Sequence, residues 1–150
     1  LRYIESPGTC FPAIQKTLFL AGGITNCPDW QAEIVDKLKS TNLILMNPRR
    51  TDFPIHDPNA ANFQIRWEHK HLAKADAILF WFPCETLCPI VLYELGAWVC
   101  RSKKLFIGVH PDYKRRQDVE IQSRLECPGI EISYNLDDLV NRVLEWSDYE

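Results

Sequence analysis

Among the 150 residues of this chain, Glu94 has the surroundings that most demand a chemical explanation. It lies within about two turns of a helix start marked by Pro89, in the run Leu92-Tyr93-Glu94-Leu95-Gly96. The positive end of a helix favours a carboxylate, an effect that fades beyond the first turn, and a nucleophilic carboxylate has to be ionised. Position alone makes Glu94 an ordinary solvated helix glutamate. Its neighbours Ile90, Val91, Leu92, Tyr93, Leu95, Ala97 and Trp98 argue otherwise, because a lone acid in such company is costly unless paired or used. A second acid, Glu68, sits in Arg66-Trp67-Glu68-His69, and a third, Asp76, opens the most apolar stretch of the chain. Two acids converging on one pocket is the arrangement glycosyl transfer uses, one as nucleophile and the other managing the leaving group. Glu68 reads equally well as a helix-surface charge, and Asp76 more readily as a strand-start cap.

The remaining reactive types give weaker signals. Gly22-Gly23 follows an apolar run and permits close backbone approach by a ligand, as in turns of many kinds. Arg49 and Arg50 have the chemistry to contact a phosphate or carboxylate. His56, His69 and His71 show no triad or metal spacing. Of the six cysteines, Cys10, Cys27, Cys84, Cys88, Cys100 and Cys127, no two pairs or Cys/His cluster complete a zinc site, so buried reduced thiols and no metal are expected. Phe19, Trp67, Phe80, Trp81 and Phe82 read as core, with one or two able to stack on a base.

Alternating elements must position these residues. Residues 17–22, 43–46, 76–82, 105–109 and 130–133 are short apolar runs that read as strands. Between them lie helical patterns: one opened by Pro28-Asp29, one over residues 62–74, one from Pro89 to about Cys100, and a short one over 119–125. A last helix is capped by Asn135 or Asp137. Residues 49–59, with their prolines, read as a long site loop. Strands apolar on both faces and alternating with helices predict an α/β, three-layer flavodoxin-like (Rossmann-like) fold with a five-stranded parallel sheet, order 2-1-3-4-5. In that topology the ligand crevice lies outside the carboxyl ends of the strands. It gathers Gly22-Gly23, the 49–59 loop, the 83–88 loop and the helix opened by Pro89. With no repeat or linker, residues 1–150 form a single domain.

Bulk composition narrows the partners. A net charge of −3 lacks the basic footprint of a nucleic-acid polymer binder, which leaves nucleotides only as small molecules in a pocket. No secretory signal follows Arg2 and Glu5, and no run approaches the ~20 apolar residues that span a bilayer. The reading is a cytoplasmic protein that does not engage membranes.

Residues 17–23 (TLFLAGG), 67–82 (WEHKHLAKADAILFWF) and 93–96 (YELG), in that order, resemble the nucleoside 2-deoxyribosyltransferases and related nucleoside and nucleotide N-glycosidases. The resemblance implies that Glu94 attacks the anomeric carbon and holds the sugar covalently, and that Glu68 holds the base and helps protonate it. Within the matched motifs, substrate contacts are expected from Phe19, Gly22, Gly23 and Asp76; Asn62, by its place at the mouth of its helix, is a further candidate because an amide can pair with a nucleobase edge. Where many relatives carry an Asp or Ser for the 5′ contact this chain has Cys88, with Thr86 the alternative. Phe19 stands where relatives have a tyrosine, and lacks the hydroxyl. The resemblance further implies a homo-oligomer, dimer or larger, with a shared site to which Asp118 and Gln122 come from a neighbouring subunit. Substrates would be nucleosides and free nucleobases, with no cofactor. The expected reaction is base exchange with retention; the alternative is hydrolysis of nucleosides or their 5′-monophosphates by water. A binding module on the same sheet ranks third, because the first loop lacks the Ser/Thr-rich character of a flavin phosphate site.

Overall fold

The computed structural model describes residues 1–9 and 13–148. The elements run β1 (Arg2–Glu5), β2 (Thr17–Gly22), α1 (Trp30–Lys37), β3 (Ile44–Asn47), α2 (Ala60–Lys74), β4 (Ala77–Phe82), α3 (Pro89–Val99), β5 (Lys104–Val109), α4 (Arg116–Glu126), β6 (Ile132–Ser133) and α5 (Leu136–Asp148). The sheet is parallel throughout, in the order β1-β3-β2-β4-β5-β6. Without β1 this is the expected 2-1-3-4-5 arrangement. The additional strand pairs with β3, Tyr3 opposite Leu45 and Glu5 opposite Asn47, and forms one edge of the sheet. Its sequence, RYIE, has one buried apolar residue, Ile4, so it offers no hydrophobic run to detect.

Strand alternation sorts the apolar side chains into two cores. Phe19, Ala21, Ile78, Phe80 and Phe82 pack with Trp67, Val91, Leu95 and Val119 of α2, α3 and α4. Leu18, Leu20, Leu79 and Trp81 pack on the other face with Ile34 of α1 and Leu139 and Val143 of α5. Three layers result, because strands buried on both faces need helices on both sides. Asn135, rather than Asp137, caps α5: its Oδ1 accepts from the Asp138 N–H at 2.8 Å. α2 begins at Ala60 and α4 at Arg116, each ahead of the apolar residues that mark it in the sequence, and β6 has only two residues.

β2 lies between β3 and β4, so the chain leaves it in one direction to form β3 and returns past it to form β4. The carboxyl end of β2 is therefore the switch point of the sheet, where a crevice opens between diverging connections.

Candidate active site

A cavity of about 390 Å³ occupies that switch point. Ala21 and Gly22 at the end of β2, Gly23 to Thr25 beyond it, Pro48 after β3, and Thr86 and Cys88 after β4 line it, together with Glu68 of α2 and the start of α3. Helical spacing brings Glu94 to it alongside Ile90 and Val91, four and three residues earlier, which also line the cavity.

Contacts within the protein hold the walls in place. A Cβ on Gly22 would stand 2.3 Å from the Trp30 ring and 2.6 Å from the Trp81 carbonyl oxygen. One on Gly23 would meet Pro83 at 2.7 Å and the sulfurs of Cys27 and Cys88 at 3.1 Å. Neither glycine has positive φ. The close approach expected of them is made by the protein's own side chains. The Gly23 carbonyl accepts from Trp30 Nε1 (2.9 Å) and from Gln31 Nε2 (3.1 Å). Arg49 then donates to Gln31 Oε1 and to the carbonyls of Pro28 and Cys27, at 2.8 to 3.0 Å. Its guanidinium fastens the 23–28 segment, so these donors are taken by the protein itself. Arg50 pairs with Asp52 at 3.9 Å and stacks over Phe53. No residue of the 49–59 loop lines the cavity; the β3 connection reaches it only through Pro48.

The 83–88 segment is anchored from below by Tyr113, whose hydroxyl donates to the Leu87 carbonyl. Cys88 then adopts a left-handed conformation, φ 50°, at the entry to α3. A non-glycine residue held there stores strain that the surrounding packing has to offset, as often found beside functional sites. Burial pushes the Cys88 thiol up to about 12, so it faces the cavity as a neutral group.

Glu68 and Glu94 are the only charged side chains lining the cavity among the described residues. Burial raises the Glu94 carboxyl to about 8, with the charge of Glu68 adding to the shift. Burial also raises Glu68, while a hydrogen bond from Gln64 opposes the rise. The expectation that the helix start keeps Glu94 ionised is thus corrected. Glu94 is the sixth residue of α3, beyond the reach of its N-terminal potential, and desolvation dominates.

Other expected contacts lie elsewhere. Asp76 immediately precedes β4, at the end of the sheet opposite the cavity. Its carboxylate accepts from the Thr17 N–H (2.8 Å) and hydroxyl (3.0 Å), so it clamps two strand starts and is unavailable to substrate. Phe19 is one pleat below Ala21 on the same face, sealed in the core against Trp67. Asn62 is exposed on α2 and accepts from Arg66, six residues and therefore a different helix face away from Glu68. Asp118 and Gln122 bond to each other at 3.0 Å and line a separate groove between α3 and α4. Cys10 lies outside the described residues; Cys27, Cys84, Cys88, Cys100 and Cys127 are free thiols. Among the described residues no Cys, His, Asp and Glu group suits a metal ion.

Two carboxyls sharing a desolvated cavity at a parallel-sheet switch point agree with the sequence comparison. The family profile described as nucleoside 2-deoxyribosyltransferase like matches residues 15–113, about two thirds of the chain. This chain belongs to the nucleoside 2-deoxyribosyltransferase-like family. The matched stretch runs from just before β2 through Tyr113 and so includes every residue lining the cavity. β1 and the last two helices lie outside it. A search of curated proteins gave no match. Membership in the nucleoside 2-deoxyribosyltransferase-like family points to a nucleoside-modifying enzyme, and no helix among the described residues is long and apolar enough to cross a membrane.

Proposed function

We propose that this protein exchanges the base of a 2′-deoxynucleoside by double displacement with retention. Glu94 attacks C1′, and the bond from C1′ to the base nitrogen breaks as an ester bond to Glu94 forms. The proton on Glu68 passes to the departing base. An incoming base then attacks C1′ and releases the Glu94 carboxylate, while its own proton returns to Glu68. The observation that carries this reading is the pair of half-buried carboxyls in one cavity. A single nucleophile would need one acid; a nucleophile with a leaving-group donor needs two.

The lining also bears on the substrate. Among the described residues no Lys or Arg lines the cavity, so a 5′-monophosphate would bring a dianion to two acids without a compensating charge. Uncharged nucleosides fit this environment better. A homo-oligomer belongs to the same reading: Ile90 lines the cavity yet is 64% exposed, and Leu87 and Tyr93 are exposed beside it, apolar surface that a second copy would cover. Sedimentation at micromolar concentration tests this, and a monomer would refute it.

The deciding experiment incubates the protein with deoxyinosine, with and without adenine. Deoxyadenosine formed only when adenine is present is the expected result. Free deoxyribose would replace exchange by hydrolysis, and no turnover of any nucleoside or nucleotide would sink both.

The proton inventory gives a second prediction. Because the Glu68 charge raises Glu94, Glu68 ionises first and the pair holds one proton between the two steps. The tautomer with that proton on Glu68 and the charge on Glu94 is the reactive one. Plotted against pH, kcat/KM is expected to rise as the first proton leaves and to fall with an apparent pKa of about 8 as the second leaves. A rise continuing through that region would mean the base departs without a proton from the pair.

A further inference from the structure

Gln64 stands one helical turn before Glu68 on α2 and is the residue through which the rest of the fold reaches it. Its side-chain amide has three partners. Oε1 accepts from the Ser6 hydroxyl at 2.7 Å; Nε2 donates to the Pro48 carbonyl at 2.9 Å and to Glu68 Oε1 at 3.4 Å. Ser6 is 1% exposed and is itself placed by β1, since its N–H continues the β1–β3 ladder to the Asn47 carbonyl at 2.9 Å.

These contacts leave the amide one orientation. A backbone carbonyl only accepts, so the NH2 group has to face Pro48, and the Ser6 hydroxyl meets the remaining oxygen. The second N–H is then directed at Glu68. At 3.4 Å that bond is long, while the two bonds fixing the amide are short, so the amide is the fixed member and the carboxyl adjusts to it. An N–H donor on one oxygen of a carboxylic acid selects it as the carbonyl oxygen and puts the proton on the other.

We propose that Gln64 is the positioning residue for Glu68: locked by Ser6 and Pro48, its amide holds Oε1 and confines the leaving-group proton to Oε2. This rests on the base-exchange reading above. It also gives β1, which the family match does not include, a part in the chemistry: the edge strand leads directly into Ser6, and Ser6 sets the amide.

The charged surroundings of Glu68 are few. Of the cavity lining, α3 presents Glu94 and the 83–88 loop the neutral Cys88 thiol; Cys27 and Glu85 stand behind Cys88, outside the lining. The Gln64 N–H favours the ionised form of Glu68, so removing it moves the lower pH limb upward.

The test is steady-state base exchange from deoxyinosine to adenine, followed across pH for the wild type, Gln64→Leu and Ser6→Ala. For Gln64→Leu, kcat is expected to fall about tenfold with KM changed less than about twofold, since the residue serves proton delivery rather than binding. Its lower limb should move up by about one pH unit while the upper limb stays in place. Ser6→Ala should move the lower limb in the same direction by less; having lost only a hydroxyl, it carries the test alone if Gln64→Leu does not fold. Wild-type turnover with unshifted limbs in the variants overturns the role of Gln64 and leaves base exchange standing. No turnover by the wild type sinks base exchange itself, and this inference with it.

Discussion

Glu94→Gln should lower the rate of base release from deoxyinosine by at least ~1000-fold, while nucleoside affinity changes less than about threefold. The amide has the size and hydrogen-bonding edge of the protonated acid, the form that an upward shift to about 8 favours at neutral pH before substrate arrives. Binding should therefore survive the exchange of one neutral group for another. The chemistry should not: an amide oxygen cannot form the glycosyl ester, so only direct attack by water or base remains. A paired measurement locates the fault. Wild-type protein quenched in acid during turnover should carry one deoxyribosyl group by intact mass, and Glu94→Gln none. Glu68→Gln should still form the glycosyl ester but lose about 100- to 10,000-fold on base release, as expected when a proton donor is removed. If Glu94→Gln keeps more than about a tenth of wild-type turnover, the nucleophile is another group.

Much of this site could be read before any geometry, and the reasons differ residue by residue. The runs at β2 and β4 are buried at every position, which is why their sequences read as central parallel strands and why the switch point between them was foreseeable. Glu94 is legible as an acid among apolar neighbours, whereas Glu68, flanked by Arg66, His69 and Lys70, stands out only through the family motif. Asp76 was harder, though topology contains the answer: a residue just before a parallel strand lies at the end away from the ligand crevice. Helix geometry likewise separates Asn62 from Glu68 and joins Gln64 to it, four residues being one turn and six being most of two. What stayed illegible depends on contacts between residues far apart in the chain. Arg49 has the chemistry of an anion ligand, but Pro28, Cys27 and Gln31 claim its donors. Ser6 carries no signal in the sequence, and is buried only because β1 adds to the sheet edge. Neither pairing leaves a periodic signal in the sequence.

The same burial that equips Glu94 for chemistry should weaken the fold, and Glu94→Gln should expose that cost as a pH-dependent gain in stability. In the unfolded chain the Glu94 carboxyl loses its proton near its ordinary value of 4.5; in the folded protein it holds it to about 8. Between those values the folded state binds more protons than the unfolded one, so stability falls as pH rises through the interval and is flat on either side for this group. Glutamine resembles the protonated acid and has nothing to titrate. The stability difference between Glu94→Gln and wild type should thus be near zero below about pH 4.5, grow steadily across the interval and level off above about pH 8, reaching on the order of a few kcal/mol. Urea unfolding of both proteins at a series of pH values, compared as a difference so that other titrating groups cancel, measures it. A variant less stable than wild type at alkaline pH would mean that the Glu94 carboxylate is stabilised in the fold, the opposite of what its burial beside Glu68 requires. The expected sign has a chemical consequence as well: a carboxylate that the protein holds reluctantly is one whose charge is relieved by bonding to C1′, so the ester step recovers part of the cost of burying the acid.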